Sequence, residues 1–542
     1  MPTYPWTNEH LDSCRQIGDE EVDPLAVEIL GGQDFGGQES GRLGYHRLLD
    51  LADRLIEAPE LYLVDSSDVR REFDRMPEKF TRYFDPLPLP DWVDAARLAR
   101  ASEIWEENML AIIGVLYAAS LPSCYLIAKG IPTLYQTGKL GQHRYIYQRI
   151  YETGLMLDGV MERGGLHIIT DVPPAIVPPG QAPAKPQRYV WGRGFLAARK
   201  VRLLHASMRA MLLRPELVAA ARGSRAFATS SAGALTDPAK PYDRSLGVPI
   251  NQEDLAYTLL TFGYVIPAGL ARWGCRLSAD DCESFLHAWR LVGHLMGVRD
   301  DLLPRDWAAA GDLVATVKRR QAARCEMGPK LTQSLALFLC DYLPSLLRPT
   351  LPALLIRSQL GADAELILPA ATPKPGRVLR VLYALTMVLL GCYYWVKRVI
   401  LSRMPMIAEI VGGAFSTAGD ALVESWRDGY DRRPFWIPDT LTGWRLVKGV
   451  THDFKQRLRI WRGKLFTTVI WGTGLVVTGT LALLVAPFFL LAGLTAAWIA
   501  GSVAAVIWLA GISVLRVGVA RLARSRPVPE VGMHEVPRQR PA

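Results

Sequence analysis

The sequence predicts an all-α protein, in which a helical domain is followed by a C-terminal hairpin of two transmembrane helices. From about residue 41 to 375, apolar residues recur at spacings of three and four between Pro- and Gly-rich breaks, and we see no alternating strand series. Residues 465–515 then pass without a single charged side chain. Half of the 542 residues are hydrophobic and 21% are charged, which excludes a disordered or fibrous chain.

Five regions follow from these patterns. Residues 1–40 are acidic and end in a Gly-rich stretch, which predicts a flexible lead-in. Residues 41–375 form the helical domain. It is interrupted by a loop at 171–187, where six prolines exclude a helix, and by a second loop at about 223–248. The remaining regions are a basic, helical juxtamembrane region at 376–464, two transmembrane helices within 465–515, and a basic tail at 516–542.

The uncharged run is long enough for two membrane crossings of about 20 residues each. Pro487 and Gly493 mark the expected turn, and both flanks of the run are basic. By the positive-inside tendency, both termini and the main domain then face the cytoplasm. The alternative is a long buried helix pair in a soluble core. The shorter apolar run at 381–396 is compatible with a core helix, an interfacial helix or a third span.

Charge and cysteine content limit the classes of partner and the redox state that the sequence predicts. The formal net charge is +9, although residues 1–60 contain 13 acidic and 4 basic side chains, so the remaining chain is strongly basic. This balance favours anionic lipid or an anionic cofactor, and no zinc-finger or RNA-binding signature indicates nucleic acid. The seven cysteines are scattered without a C-x-x-C pair, which indicates reduced thiols. The N-terminus lacks the apolar core of a secretory signal.

One histidine stands out. In RKVRLLHASMRAMLL, His205 lies on the apolar stripe of a predicted helix, with cationic neighbours at Arg199, Lys200, Arg202 and Arg209. This setting suits a haem-iron ligand, with Arg202 and Arg209 reaching the haem propionates. The alternative is a core histidine that bonds a backbone carbonyl.

A second cluster lies in QRIYETG. Arg149 and Thr153 are four residues apart on one helix face, and Glu152 is beside them. A cation and a hydroxyl held together can hydrogen-bond a small anionic or dioxygen-like ligand. The alternative is a surface ion pair beside an ordinary helix hydroxyl.

Other motifs have structural explanations. Asn251 is a predicted helix cap with Glu253 and Asp254 in the first turn. His287 and His294 are seven residues apart, about 10 Å along a helix, which is too far for joint ligation of one metal. We expect both histidines to pack or to lie at the surface. The sequence contains no P-loop, H-E-x-x-H or G-x-S-x-G motif.

Seven ordered pieces carry a family resemblance. In chain order they are LPDWVD (89–94), SLPSCY (120–125), LYQTGKL (134–140), the R-x-x-x-T of Arg149 and Thr153, VRLLHASMR (201–209), GVPINQEDL (247–255) and W-R-x-V-G-H-x-x-G-V (289–298). Together they resemble the latex-clearing (rubber) oxygenases and the related mycophenolic-acid-pathway oxygenases, over roughly residues 75–350.

The resemblance implies a globin-like helical domain that holds b-type haem, with His205 as proximal ligand. It also implies oxidative cleavage of an isoprenoid carbon–carbon double bond by dioxygen, and it matches Arg149 and Thr153 to the distal arginine and threonine. The chain departs from the rubber enzymes in three respects. It lacks a secretory signal, it has Glu152 in place of a distal lysine, and it inserts the proline-rich loop. No carboxylate lies between Lys129 and Arg149 to match the family's acidic pocket base.

The expected function is therefore a membrane-anchored, haem-b-dependent oxygenase. Its partners would be dioxygen, an apolar unsaturated isoprenoid or lipid, and the bilayer from which such a substrate comes. The expected site residues are Arg149, Glu152 and Thr153 on the distal side, with His205, Arg202 and Arg209 holding the cofactor. The rival is a non-enzymatic haem-binding sensor, or a membrane-associated scaffold on the same fold.

Overall fold

A computed structural model describes residues 6–32, 38–63, 67–138, 143–170, 188–214, 216–217, 242–399, 403–425, 452–490 and 495–527. The described chain is mostly helical, as predicted. The helices are α1 Asn8–Cys14, α2 Val22–Gly31, α3 Gln38–Glu57, α4 Asp68–Phe73, α5 Glu78–Thr81, α6 Ala95–Val115, α7 Leu121–Cys124, α8 Ile131–Gly138, α9 His143–Met161, α10 Arg193–Leu213, α11 Gln252–Gly263, α12 Val265–Arg272, α13 Ala279–Leu295, α14 Trp307–Gln321, α15 Met327–Cys340, α16 Leu351–Leu360, α17 Ala364–Ile367, α18 Arg377–Val399, α19 Pro405–Ser425, α20 His452–Leu490, α21 Thr495–Ser513 and α22 Val519–Arg524.

Several helices begin at capping side chains that the sequence supplies. Asn251 Oδ1 accepts a hydrogen bond from the backbone N–H of Asp254, which confirms the predicted cap of α11. Ser278 and Asp281 form a reciprocal capping box at the start of α13. Such caps satisfy backbone donors that would otherwise have no partner within the helix.

A small antiparallel sheet was not predicted. Its strands are β1 Leu87–Pro88, β2 His167–Ile169 and β3 Tyr189–Trp191, in the order β1-β3-β2. Strands of two and three residues are too short to produce an alternating pattern, so periodicity could not reveal them. Because β2 and β3 flank the proline-rich segment at 171–187, the sheet holds the two ends of that segment together.

The acidic N-terminus is folded. Helices α1 and α2 contribute fully buried side chains to the main core, including Leu11, Cys14 and Ile29, and α2 packs along α10. The prediction of a flexible lead-in over 1–40 is therefore wrong for residues 6–32. The physical reason is that several of its acidic side chains pair with cations of α10.

The core has two main parts. The larger apolar cluster surrounds α6, α10, α11 and α13, and a smaller one is formed by α19, α20 and the residues that follow α21. Helix α19 packs along α6 and so connects the two parts. The C-terminal helices are thus in direct contact with the domain that carries the predicted site.

Five helical stretches of the described chain are long and apolar enough to cross a membrane. Two of them, Ala95–Cys124 and Gln252–Arg272, are core helices, since 67% and 61% of their most apolar windows are buried. By contrast, only 6% of the most apolar window of Arg377–Val399 is buried. The exposed side chains of this helix include Val381, Leu385 and Val388. The interpretation of 381–396 as a core helix is therefore wrong.

Helices α20 and α21 form an antiparallel pair. A Cβ atom added to Gly479 would lie 2.8 Å from Trp508 Cα, and one added to Gly511 would lie 2.7 Å from the Val476 nitrogen. Small residues allow two helices to approach this closely, as is common in membrane helix pairs. Helix α20 continues through Pro487 to Leu490, so Pro487 does not mark a turn, and Gly493 lies outside the described residues.

Candidate functional site

His205 occupies a distinctive position on α10. Every residue from 194 to 212 is buried except His205, which is partly exposed. The helix packs against α2, α3 and α9, so the exposure is local to the imidazole. It opens into an internal cavity of about 220 Å³.

The wall of this cavity is mainly apolar and comes from five helices and their connections. The contributions come from α7, α8 and the segment that joins them, from α9, from α10, and from α11 with the residue Ile250 before it. The apolar lining consists of Leu121, Ile127, Leu134, Ile150, Met208, Ile250, Leu255 and Phe262. Such a wall suits an apolar ligand.

Thr153 of α9 lines the same cavity as His205. Ile150, three residues earlier on α9, lines the same cavity, which identifies the face that α9 turns inward. Arg149 lies one helical turn before Thr153. The side chains of Arg149 and Glu152 lie outside the described residues.

The cations of α10 are paired with acidic residues of the N-terminal segment. Arg202 places Nε 2.6 Å from Asp19 Oδ2 and Nη2 2.7 Å from Glu21 Oε2. Arg209 Nε lies 2.8 Å from Asp23 Oδ1. Burial would raise the pKa of Asp19, but the two arginines hold it below its ordinary value. These cations therefore serve to dock the N-terminal segment.

The prediction that Arg202 and Arg209 reach haem propionates is not supported by these contacts. Neither side chain belongs to the lining of the His205 cavity. The physical reason is that a buried guanidinium needs its own carboxylate, and both residues have one. The Arg199 guanidinium also has a protein partner, because its Nε and Nη2 donate to the Tyr83 backbone carbonyl at 3.1 and 2.9 Å.

Asp254 is a lining residue that the sequence analysis assigned only to a helix start. Arg15 Nη1 donates to its Oδ1 at 2.8 Å, and Asn251 Nδ2 donates to its Oδ2 at 2.8 Å. Burial raises the pKa of Asp254, although the Arg15 ion pair acts in the opposite direction. No periodicity signals this role. The one available signal is that Asp254 stands in the first turn of a capped helix within the GVPINQEDL motif.

The backbone around Asp254 is closely fitted. A Cβ atom added to Gly130 would lie 3.2 Å from Asp254 Oδ1, so a larger residue there would crowd the carboxylate. Ile250 has a φ of 53°, the left-handed conformation that β-branched residues avoid. Since Ile250 also lines the cavity, the strained position lies in the wall of the candidate site.

His287 and His294 are not part of this site. His287 Nε2 accepts a hydrogen bond of 2.9 Å from the Asp94 backbone N–H, and its ring lies edge-on to Trp92. Burial, together with Arg97, lowers the pKa of His287 to about 4. His294 Nδ1 lies 3.6 Å from Asp300 Oδ1. These contacts agree with the expectation that both histidines pack or lie at the surface.

Comparison with known proteins identifies the relatives of this chain. Residues 187–393 match the family model described as "ER-bound oxygenase mpaB/B'/Rubber oxygenase, catalytic domain". A rubber oxygenase from Streptomyces sp. (strain K30) is 27% identical over 172 residues, which are 32% of this chain and 37% of that protein. The chain thus spans little more than a third of the length of this relative.

A solved structure of latex clearing protein LCP in the closed state is also similar. The match has a TM-score of 0.46 and 17% identity, and it covers 70% of this chain and 84% of the other. The family match includes His205, α11 and α13, which carry three of the seven ordered motifs. Residues 187–393 thus match the mpaB/rubber oxygenase catalytic-domain family, the family that the ordered motifs predicted.

Proposed function

We propose that this protein is a membrane-anchored, haem-b-dependent oxygenase. It would use dioxygen to cleave or oxygenate a carbon–carbon double bond of an unsaturated isoprenoid or lipid. The observation that carries the proposal is the exposure of His205 alone, on an otherwise buried helix, into an apolar cavity that Thr153 also lines. The family similarity supports the class of reaction.

The residues around the cavity fit a haem better than a bare metal ion. Within the described chain, no group of three or more His, Cys, Asp or Glu side chains is arranged to hold a metal. A haem brings its own ring nitrogens and needs few protein ligands, and His205 would hold its iron. At about 220 Å³ the cavity is smaller than most ligand sites, so its walls must separate when a macrocycle enters.

The side chains around the cavity would have separate roles in the reaction. Haem, when bound, supplies the oxygen chemistry. Thr153 would donate a hydrogen bond to a polar atom in the cavity, and Arg149 would add a cation one turn away. The apolar lining would hold the substrate chain and exclude water. Arg202 and Arg209 would act indirectly, because they fix α10 to the N-terminal segment.

The membrane part of the proposal concerns α20 and α21. Their outward side chains are large and apolar, with Ile470, Trp471, Trp498 and Val506 all more than half exposed. In water such a surface would be unfavourable, whereas lipid would cover it. We propose that this pair anchors the protein, that the exposed face of α18 contacts the bilayer, and that the main domain faces the cytoplasm.

The test is the haem content of the purified full-length protein in detergent. We expect a Soret band and stoichiometric haem in the wild type, loss of both in His205→Ala, and retention of both in His287→Ala. Full haem occupancy in His205→Ala would remove the assignment. Both histidines lie on helices of the same domain, so the second variant controls for general loss of an imidazole.

A haem-binding sensor without turnover is the second candidate. The observation that favours it is that Asp254, the carboxylate of the described cavity lining, is already held by Arg15 and Asn251. Consumption of dioxygen with formation of carbonyl products from an unsaturated isoprenoid would establish the enzyme. A spectral response to dioxygen without products would establish the sensor.

A further inference from the structure

We propose that a second cavity, between the main domain and the C-terminal helices, binds a single apolar chain that ends in a carbonyl oxygen. Such a ligand is a fatty acid or a prenyl carbonyl compound. The cavity has a volume of about 290 Å³ and shares no lining residue with the His205 cavity. The inference goes beyond the proposed function and does not depend on haem.

The walls of this cavity come from both parts of the molecule. Helices α6 and α15 contribute Ala111 and Phe338 from the main domain, and α19 and α20 contribute Phe415 and Phe466 from the C-terminal part. Most of the exposed wall is apolar, which suits a hydrocarbon chain. The cavity therefore exists only where the two parts meet.

One side of the cavity reaches the outer surface. Ile470 of α20 lines the cavity and is also 55% exposed, next to the exposed Trp471. A chain that lies along α20 can therefore enter beside Ile470. Entry from a bilayer rests on the proposed membrane contact of α20, whereas binding itself does not.

The lining also contains hydroxyl groups that lack a partner. Tyr393 is 97% buried, since only 3% of it is exposed, and its hydroxyl has no hydrogen-bond partner within the described residues. The hydroxyl of Thr473 is in the same condition. A buried polar atom without a partner is costly, so these positions indicate a ligand atom that accepts hydrogen bonds.

Lys397 also lines this cavity, and its ammonium already has protein partners. Its Nζ donates to the Glu107 carbonyl at 2.8 Å and lies 3.4 Å from Asn108 Oδ1, while the Glu107 carboxylate is 3.5 Å away. The hydroxyls of Tyr393 and Thr473 remain able to donate to a carbonyl or carboxylate oxygen, and they give nothing to a pure hydrocarbon. This distinguishes the site from a nonspecific apolar gap.

The test is photolabelling of the full-length protein in detergent, followed by peptide mapping. Two probes are used in parallel, a diazirine-bearing palmitic acid and a diazirine-bearing farnesal, so that the anionic and the neutral source are distinguished. We expect saturable labelling of peptides from α6, α18 and α20 that line the cavity by at least one probe. We also expect this labelling to persist in His205→Ala, which separates the inference from the proposed haem site.

Two cavity variants and one matched control make the result decisive. Ala111→Phe fills the cavity and should abolish saturable labelling, whereas Ala96→Phe, on the exposed face of the same helix, should leave it unchanged. Tyr393→Phe removes only an oxygen atom. It should weaken probe affinity by about fivefold, the effect of one hydrogen bond, without lowering the melting temperature. Labelling confined to outer residues near Trp471 and Trp498, or equal in every variant, would overturn the proposal.

Discussion

Arg209 Nη1 donates a hydrogen bond of 2.9 Å to the carbonyl oxygen of Ile250, the residue that holds a left-handed φ in the cavity wall. The Nε of the same guanidinium contacts both carboxylate oxygens of Asp23, at 2.8 and 3.0 Å. One side chain thus joins the N-terminal segment to a strained backbone position beside the candidate site. Strain of this kind persists only where surrounding contacts hold it.

Removing this guanidinium should destabilise the fold. Arg209→Met keeps the length of the side chain but leaves the partly buried Asp23 without its cation, at an expected cost of about 3 kcal/mol. Thermal unfolding at a fixed scan rate should show a lower melting temperature. Arg214→Met, at an exposed position just after the same helix, should change it little. Equal melting temperatures for the two variants would contradict the role of Arg209.

Loss of the cavity hydroxyl should affect activity and not haem content. Thr153→Val preserves shape and removes one hydrogen-bond donor, so oxygen consumption should fall by about tenfold while the Soret band remains. Arg149→Ala should act in the same direction and more strongly, because loss of one placed donor can cost about 10²–10³ in rate. Thr467→Val, exposed on α20, is the matched control. Wild-type turnover in both site variants would place the distal contacts elsewhere.

Asp254→Asn tests whether the buried carboxylate takes part in turnover. Arg15 keeps Glu253 as a partner, with Nη1 3.1 Å from Oε2, so the fold should be largely preserved. If Asp254 acts as an acid or base, turnover should fall by about 10² and lose its acidic limb in the pH profile. Asp280→Asn, in the first turn of α13 and exposed, is the control. An unchanged rate would show that Asp254 takes no part in turnover.

Acidification should weaken the packing around His287. The folded-state pKa of about 4 is below the unfolded value of about 6.5, so the folded protein binds fewer protons between these values. The stability that the neutral imidazole provides is therefore present above pH 6.5 and is lost as the pH falls toward 4. The melting temperature of the wild type should decrease more steeply over this range than that of His287→Gln. Parallel curves would show that another group controls the acid response.

A charge in the centre of the proposed hairpin should reduce its insertion. Val506 is exposed near the middle of α21, where arginine costs about 2.5–3.5 kcal/mol for membrane insertion. Val506→Arg should therefore lower the fraction of protein that resists carbonate extraction. Val517→Arg adds the same charge at an exposed valine beside Arg516, where an interface tolerates it. Full release of the wild type by carbonate would show that the pair is not an anchor.

Local patterns predicted the helices well. Apolar spacing is a property of one segment, so α10 and the paired C-terminal helices could be recognised from sequence. The exceptional setting of His205 was also visible, because a polar imidazole interrupts an apolar stripe. The ordered motifs around it predicted the family that residues 187–393 match.

Pairings between distant residues could not be predicted. Asp19 and Arg202 are separated by 183 positions, and no periodicity connects them. For the same reason Arg202 and Arg209 of α10 were assigned to haem propionates instead of to the acidic N-terminal segment. Asp254 was not predicted to line a cavity, because its place in the first turn of a capped helix already accounted for a carboxylate there. The folded structure also places it in the cavity wall.

Because the N-terminal segment docks against α10, the folding unit of this protein is larger than the family-matched region. Lys200, Arg202 and Arg209 lie inside the family-matched stretch, but their carboxylate partners at Asp53, Asp19 and Asp23 all precede it. An expression design trimmed to residues 187–393 would therefore expose three unmatched cations on the helix that carries His205. The boundaries of homology are not the boundaries of folding here, and the smallest fragment worth expressing begins upstream of α1.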